Sequence, residues 1–191
     1  MTNEIIESLS NKIWITRKCR IVASERLEKA ELYAQIIFVY YSVILISLSI
    51  WTLFPEHVDS ALSLILVVAS IGLLCISLFI ASQNYKNRAI ALKSCYIKLE
   101  GLGTKLEILK SDILEMDEKK QIFINIENSY LQLLDNVENH SDFDYLIIAN
   151  GISEINLSSS QKRRYYFYHS KSFVIKLFFI VMPLIPFTVF L

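Results

Sequence analysis

Two long stretches without a charged side chain constrain this sequence more than any other feature. Leu32–Pro55 and Ser60–Tyr85 contain no Asp, Glu, Lys or Arg. Each stretch exceeds the roughly 20 residues that a helix needs to cross about 30 Å of hydrocarbon. Together with 53% hydrophobic residues in a chain of 191, they exclude an ordinary cytosolic enzyme. They predict a hairpin of two membrane-spanning helices over residues 32–85.

The positions of the basic residues predict the orientation of this hairpin. Six Lys or Arg side chains precede Leu32, the loop Pro55–Asp59 has none, and basic residues resume at Lys86 and Arg88. The positive-inside rule therefore places the N-terminus and residues 86–171 in the cytoplasm and the short loop outside. The three cysteines lie in inner segments or within a span, so we expect no disulfide framework and no metal-binding Cys pair.

A third apolar segment, Ser172–Leu191, follows a basic-aromatic segment that suits an inner membrane interface, and the two together form a region 161–191. Lys176 interrupts the apolar segment, and Pro183 and Pro186 bend or shorten it. We expect a C-terminal membrane helix that just spans the bilayer if Lys176 reaches the headgroups. A re-entrant or surface helix is the alternative, because prolines in lipid need neighbouring helices to satisfy the carbonyls they free.

The remaining segments show helical periodicity. Residues 1–31 form an amphipathic cytoplasmic helix that continues into the first span, and residues 86–160 form a cytoplasmic helical stalk. Gly101 and Gly103 leave open whether the first stalk helix is broken, and Asp117–Glu138 forms the next one. The stalk carries two apolar series with a spacing of seven: Leu92, Leu99, Leu106 and Ile113, and Cys95, Leu102, Leu109 and Met116. The fold class is therefore an all-α membrane protein that associates with further copies of itself through stalk and hairpin.

Polar residues form one stripe on each predicted span. They recur every seven residues and are Gln35, Ser42 and Ser49 on the first helix and Ser63, Ser70, Ser77 and Asn84 on the second. Helix packing is one explanation, because small hydroxylated residues let helices approach closely. The other is that, after assembly, the stripes line a narrow water-filled path.

A second polar pattern precedes the first span. Trp14, Arg17, Arg20 and Ser24 are spaced to share one helix face. A solvated or phospholipid-facing surface is one interpretation, and a specific site for the phosphate of a nucleotide or nucleic acid is the other. We expect contact with an anion or a lipid headgroup here, and we do not expect direct nucleic-acid binding.

Sequence motifs for chemistry are absent from the chain. His57, His140 and His169 are isolated, and no GxSxG, HExxH, phosphate-binding loop or dinucleotide fingerprint occurs. We therefore expect no enzyme activity, no metal and no cofactor.

The run Trp14-Ile15-Thr16-Arg17-Lys18-Cys19-Arg20-Ile21-Val22-Ala23-Ser24-Glu25-Arg26-Leu27, followed by two spans, resembles the SLATT family. These are bacterial two-transmembrane effectors of nucleotide-sensing and conflict systems, and the run looks most like the subfamily associated with reverse transcriptases. The resemblance implies an inner-membrane, pore-forming effector of antiviral defence that causes abortive infection. It also implies a reverse transcriptase or a nucleotide signal as partner, besides the lipid bilayer and further copies of the chain. The alternative function is a non-catalytic membrane scaffold that docks a cytosolic partner such as a reverse transcriptase.

Overall fold

A computed structural model describes residues 3–54, 60–112, 115–135, 137–139, 141–151 and 158–184. Within these residues every regular element is helical, which confirms the all-α fold class. The elements, in chain order, are α1 (Asn3–Trp51), α2 (Ser60–Ser82), α3 (Tyr85–Ser111), α4 (Met116–Asp135), α5 (Asp142–Gly151) and α6 (Ser159–Val181), followed by a 3-10 turn over Met182–Leu184. The predicted outer loop Pro55–Asp59 and the last residues of the C-terminal segment, including Pro186, lie outside the described residues.

The chain forms two compact units. Unit 1 comprises Met1–Glu28 and Lys86–Tyr165, and unit 2 comprises Lys29–Tyr85 and Tyr166–Leu191. One boundary falls inside α1, which is helical without interruption from Asn3 to Trp51. A single helix of 49 residues therefore contributes to both units.

Unit 1 contains an apolar core to which α1, α3 and α4 contribute. The fully buried leucines Leu99 and Leu106 of α3 lie in this core with Ile13 of α1 and Ile126 of α4. Six of the eight stalk residues with a spacing of seven are buried; Met116 is exposed and Ile113 lies outside the described residues. The apolar seam that we expected to serve self-association is therefore filled within the chain.

The glycines of the stalk do not interrupt it. α3 passes through Gly101 and Gly103 as continuous helix. A Cβ atom at Gly101 would meet nothing within 4 Å, whereas one at Gly103 would lie 4.0 Å from Cγ2 of Ile13. Burying the leucines on either side stabilises the helix by more than the two glycines destabilise it, which is at most about 1 kcal/mol each.

Capping boxes begin two of the helices. Ser141 precedes α5, where its backbone N–H donates to Asp144 Oδ2 at 2.9 Å and its Oγ accepts from the Asp144 N–H at 3.4 Å. Ser158 and Gln161 make the same reciprocal pair at the start of α6, at 2.9 and 3.3 Å. Each box satisfies N–H groups that the first helical turn leaves without a partner. Ser141 is therefore the N-terminal cap of α5, and Asp144 lies in its first turn.

The junction between α2 and α3 depends on one residue with an unusual backbone conformation. Asn84 has a φ of 50°, in the left-handed region that Asn tolerates better than most residues. α2 ends at Ser82 and α3 begins at Tyr85. The apolar span and the stalk helix are therefore two helices joined at Asn84.

Unit 2 exposes large apolar side chains along its helices. Val39, Ile46, Leu64 and Phe79 are each more than half exposed. Two helical stretches are long and apolar enough to cross a membrane: Glu4–Trp51, and Ser60–Ser111, in which α2 and α3 are taken together. Exposed apolar surface of this extent is unfavourable in water and matches a hydrocarbon environment.

Candidate functional site

The polar stripes of α1 and α2 lie on accessible surface of unit 2. Gln35, Ser49, Ser63, Ser70 and Asn84 are exposed. Ser42 and Ser77 are half-buried. All seven candidate residues are thus available to water, lipid or a further copy of the chain.

The stripe hydroxyls bond to the backbone of their own helices. Ser42, Ser49 and Ser70 donate to the carbonyl four residues earlier, each at 2.8 Å. Ser77 donates to the carbonyl of Leu74 at 2.8 Å. Such bonds satisfy a hydroxyl in an apolar environment. The oxygen of each serine keeps acceptor capacity, so a wet or hydrogen-bonding neighbour can still be accommodated.

Gln35 and Asn84, the amide residues at the ends of the stripes, make different hydrogen bonds from the serines. Gln35 Nε2 donates to Glu31 Oε1 at 3.1 Å, which ties the stripe to a charge at the start of the span. Asn84 Nδ2 donates to the Ser82 carbonyl at 3.4 Å. Asn84 therefore has a backbone role at the helix junction that its spacing in the sequence did not reveal. The only signal for it was the residue type, since Asn is common in left-handed positions.

The basic run before the span does not form a common surface. Arg20 is buried, and its Nη1 donates to the backbone carbonyl of Glu138 at 2.7 Å. Ser24 is also buried and donates to the carbonyl of Ala89 at 3.1 Å. Both side chains satisfy carbonyls inside unit 1, so neither faces a headgroup or a soluble anion in this structure. The spacing on the helix face could not predict this burial, because the carbonyls that accept these hydrogen bonds lie far away in the sequence.

Trp14 and Arg17 remain partly accessible beside a groove of about 310 Å³. Arg17 Nη1 lies 3.2 Å from Glu100 Oε1, and Glu107 also lines the groove. The ammonium of Lys18 lies 5.7 Å from the centre of the Trp14 ring. Two carboxylates beside one guanidinium disfavour an anion in this groove.

Unit 1 also contains an ion pair between Arg26 and the buried Asp144. The side chain of Asp144 is fully buried and accepts two hydrogen bonds from Arg26, from Nε at 2.8 Å and from Nη2 at 3.1 Å. Ser141 donates its hydroxyl to the same carboxylate at 2.7 Å. Burial by itself raises the pKa of Asp144, but the hydrogen bonds from Arg26 and Ser141 outweigh it and lower the pKa below 3.8. We call Arg20, Ser24, Arg26, Ser141 and Asp144 the polar node; Arg26, Ser141 and Asp144 were not among the predicted site residues.

The thiols near the polar node are not activated. Burial raises the pKa of Cys19 to about 11, and the Asp144 carboxylate adds to that rise while Arg20 opposes it. Burial also raises the pKa of Cys95. Both thiols are therefore protonated at neutral pH, unlike the thiolate that a cysteine nucleophile requires.

The chain matches a known protein family over almost its whole length. The family of SMODS and SLOG-associating 2TM effector domains, family 5, matches residues 2–191. This chain belongs to the SLATT family. A search of curated proteins and a search of solved structures gave no match. As a SLATT protein, it is a two-transmembrane effector of conflict systems. Its family and its two helical stretches of spanning length indicate a membrane protein.

The residues by which the sequence resembles SLATT proteins have structural roles here. Arg20, Ser24 and Arg26 of the resembling run belong to the polar node. In the same run, the Oγ1 atom of Thr16 lies 3.0 Å from the hydroxyl oxygen of Tyr130. The SLATT run therefore connects α1 to the rest of unit 1.

Proposed function

We propose that this SLATT protein is a non-catalytic effector that self-associates in the bacterial inner membrane and permeabilises it on activation, which leads to abortive infection. In this proposal the N-terminus and residues 86–171 are cytoplasmic. Membership of an effector family and two helical stretches of spanning length support it. The lipid bilayer and further copies of the chain are the partners that permeabilisation requires.

The observation that carries the proposal is the accessibility of the two polar stripes. A lipid-facing helix gains nothing from a row of hydroxyl and amide groups, whereas a helix that lines water does. The hydroxyls of Ser42, Ser49, Ser70 and Ser77 all donate to carbonyls of their own helix. These four hydroxyls are therefore not used in joining α1 to α2, and assembly of several copies can turn them toward a common lumen.

Contacts between copies are proposed to form through unit 2. The apolar core of unit 1 already fills the seam that a coiled coil between copies would need. α1 enters both units as one continuous helix. We propose that a signal received by unit 1 reaches the span along α1, which joins the two units with no separate linker.

The test is membrane depolarisation after induced expression. Replacing Ser42, Ser49, Ser70 and Ser77 together by Leu should abolish depolarisation while cross-linking still detects the assembly. Depolarisation that persists in an assembled quadruple variant would exclude the stripes as the lining of the path.

A matched control lies two residues from the stripe of α1. Ser47 and Ser49 are both exposed and both donate to the carbonyl four residues earlier at 2.8 Å. Two residues on a helix differ by about 200° around its axis, so Ser47 lies on the other side of α1. Ser49→Leu should weaken depolarisation, and Ser47→Leu should leave it unchanged.

A partner of this effector is also part of the proposal. We propose that it belongs to the subfamily associated with reverse transcriptases, or responds to a nucleotide signal. Co-purification of a soluble reverse transcriptase with the membrane fraction would support the first, and depolarisation triggered by an added nucleotide would support the second. A stable complex without depolarisation or toxicity would instead favour the scaffold function.

A further inference from the structure

The C-terminal end of α6 is bonded to α1 within unit 2 by two neighbouring tyrosine hydroxyls. Tyr40 donates to the carbonyl of Ile180 at 3.1 Å. Tyr41 donates to the carbonyl of Phe179 at 3.0 Å. We call these two bonds the tyrosine latch. They join side chains in the middle of a predicted span to the backbone of another helix.

The two bonded carbonyls lie at the end of α6, where Pro183 removes one backbone donor. α6 ends at Val181, and the last four carbonyls of a helix have no partner within it. An amide at position 183 would reach Phe179 in α-helical geometry or Ile180 in 3-10 geometry, but Pro183 has no N–H. The two tyrosine hydroxyls therefore donate to the carbonyls that a backbone N–H at position 183 could otherwise reach. In hydrocarbon an unsatisfied carbonyl is costly, so such donors are needed there.

A third tyrosine sets the direction of α6 relative to α1. Tyr33 donates to the carbonyl of Lys176 at 3.1 Å, and the Lys176 ammonium lies 5.4 Å from the centre of the Tyr33 ring. Tyr33 precedes the latch on α1, as Lys176 precedes it on α6. The two helices therefore run in the same direction in unit 2, and both enter the bilayer from the side on which Leu32 begins the uncharged stretch.

The position of the latch along α1 gives the depth at which α6 ends. Tyr41 lies nine residues after Leu32, which is about 14 Å along a helix that rises 1.5 Å per residue. The hydrocarbon layer is about 30 Å thick. The carbonyl end of α6 thus lies within the layer, at most about halfway across it. Large apolar residues such as Phe173 and Phe178 are exposed on α6, as expected of a helix surrounded by lipid.

We infer that α6 is a third membrane-embedded segment, which enters beside α1 and ends inside the bilayer with its free carbonyls held by the tyrosine latch. Within the described residues the α-helix stops at Val181 and a 3-10 turn follows over Met182–Leu184, while the rest of the predicted segment lies outside them. Tyr40 lies about half a turn from Ser42 around α1. The contact of α6 through Tyr40 therefore lies on the side of α1 away from the polar stripe. The inference needs the membrane location but not permeabilisation.

Cysteine labelling in membrane vesicles tests the depth. In a Cys75→Ser background, Phe167→Cys and Val181→Cys place single accessible thiols at the two ends of the unit 2 part of α6, since the wild-type Cys19 and Cys95 are buried. A membrane-impermeant maleimide should label position 167 from one side of the membrane. It should label position 181 from neither side until detergent is added. Labelling of Val181→Cys in intact vesicles of either orientation would overturn the inference.

A double-mutant cycle tests the latch. Tyr41→Phe removes only the hydroxyl and should lower the Tm of the detergent-solubilised chain by about 2–4 °C. In a Pro183→Ala background the new N–H can serve the Phe179 carbonyl, so Tyr41→Phe should then have little effect. Equal losses of Tm in both backgrounds would contradict the latch.

Tyr33→Phe is the matched control for the latch. The Lys176 carbonyl lies inside α6, where the amide four residues later already serves it. Removing the Tyr33 hydroxyl should therefore lower the Tm less than Tyr41→Phe does. Tm and labelling are both independent of depolarisation, so failure of the permeabilisation proposal would leave these results interpretable.

Discussion

Asp144 shows how a single charged side chain can be buried at low cost. Its carboxylate is fully buried, yet Arg26 and Ser141 donate three side-chain hydrogen bonds to it. The guanidinium of Arg26 is partly exposed, so one member of the pair keeps contact with water. A bidentate pair of this kind joins α1 to the start of α5 and orients both.

Replacing this carboxylate should destabilise unit 1. We expect Asp144→Asn to lower the free energy of unfolding by about 2 kcal/mol, because hydrogen bonds between charged groups are lost in a buried place. Thermal unfolding of the full chain in detergent measures the change. Asp142→Asn is the control, since Asp142 is 87% exposed and its pairing with Arg164 at 3.5 Å is worth little. Equal effects of the two substitutions would contradict the role of the polar node.

The same carboxylate predicts a pH dependence. The pKa of Asp144 is lower in the folded chain than its ordinary value of 3.8, so the stabilisation is present above pH 3.8 and is lost as the pH falls through the folded pKa. The Tm of the wild-type chain should therefore fall more steeply below pH 3.8 than that of Asp144→Asn. Parallel Tm profiles for the two chains would show that Asp144 does not contribute.

Among the helices, α3 contains the clearest opportunity for stabilisation. Gly101 is exposed in the interior of a continuous helix, and a Cβ atom there would meet nothing within 4 Å. Gly101→Ala should raise the free energy of unfolding by about 0.5–1 kcal/mol, because alanine loses less backbone entropy on folding. Chemical denaturation checks this. Gly103→Ala should also be tolerated, since its Cβ would make ordinary contact with Ile13; a large loss of stability there would mean that α1 and α3 pack more tightly than the structure shows.

At the α2–α3 junction, in contrast to Gly101, the backbone conformation favours glycine. At a φ of 50° the backbone of Asn84 suits Gly, and a β-branched residue is strained there. We expect Asn84→Gly to preserve the Tm and Asn84→Val to lower stability by about 1–2 kcal/mol. Depolarisation by Asn84→Gly then reports on the amide group alone, because the backbone of the junction is kept. A Tm for Asn84→Val equal to that of Asn84→Gly would remove the backbone argument.

For the whole molecule, the apolar seam of the stalk stabilises the fold of one chain. Leu99 is fully buried in the core of unit 1. Leu99→Ala should lower the free energy of unfolding by about 2–5 kcal/mol and leave the mass of the detergent-solubilised particle unchanged. Particle mass by light scattering distinguishes the two roles: a smaller particle with little loss of stability would place Leu99 between copies.

Periodicity and charge distribution predicted the helices because both are local properties. The seam positions of α3 could be read from a spacing of seven, and most of them are buried. The same reasoning placed Arg20 and Ser24 on a surface, since hydropathy treats polar residues as solvent-facing. It had no means of finding the carbonyls of Glu138 and Ala89 that make their burial favourable.

The chain alone therefore established an all-helical protein with two helical stretches of spanning length, because uncharged length and helical period depend on neighbouring residues only. Tertiary structure decided which polar groups are buried and where α6 ends. Arg26 meets Asp144 across 118 positions, and Tyr41 meets Phe179 across 138. Hydrogen bonds at such separations depend on packing, and packing sets the free energy of a buried charge or a free carbonyl.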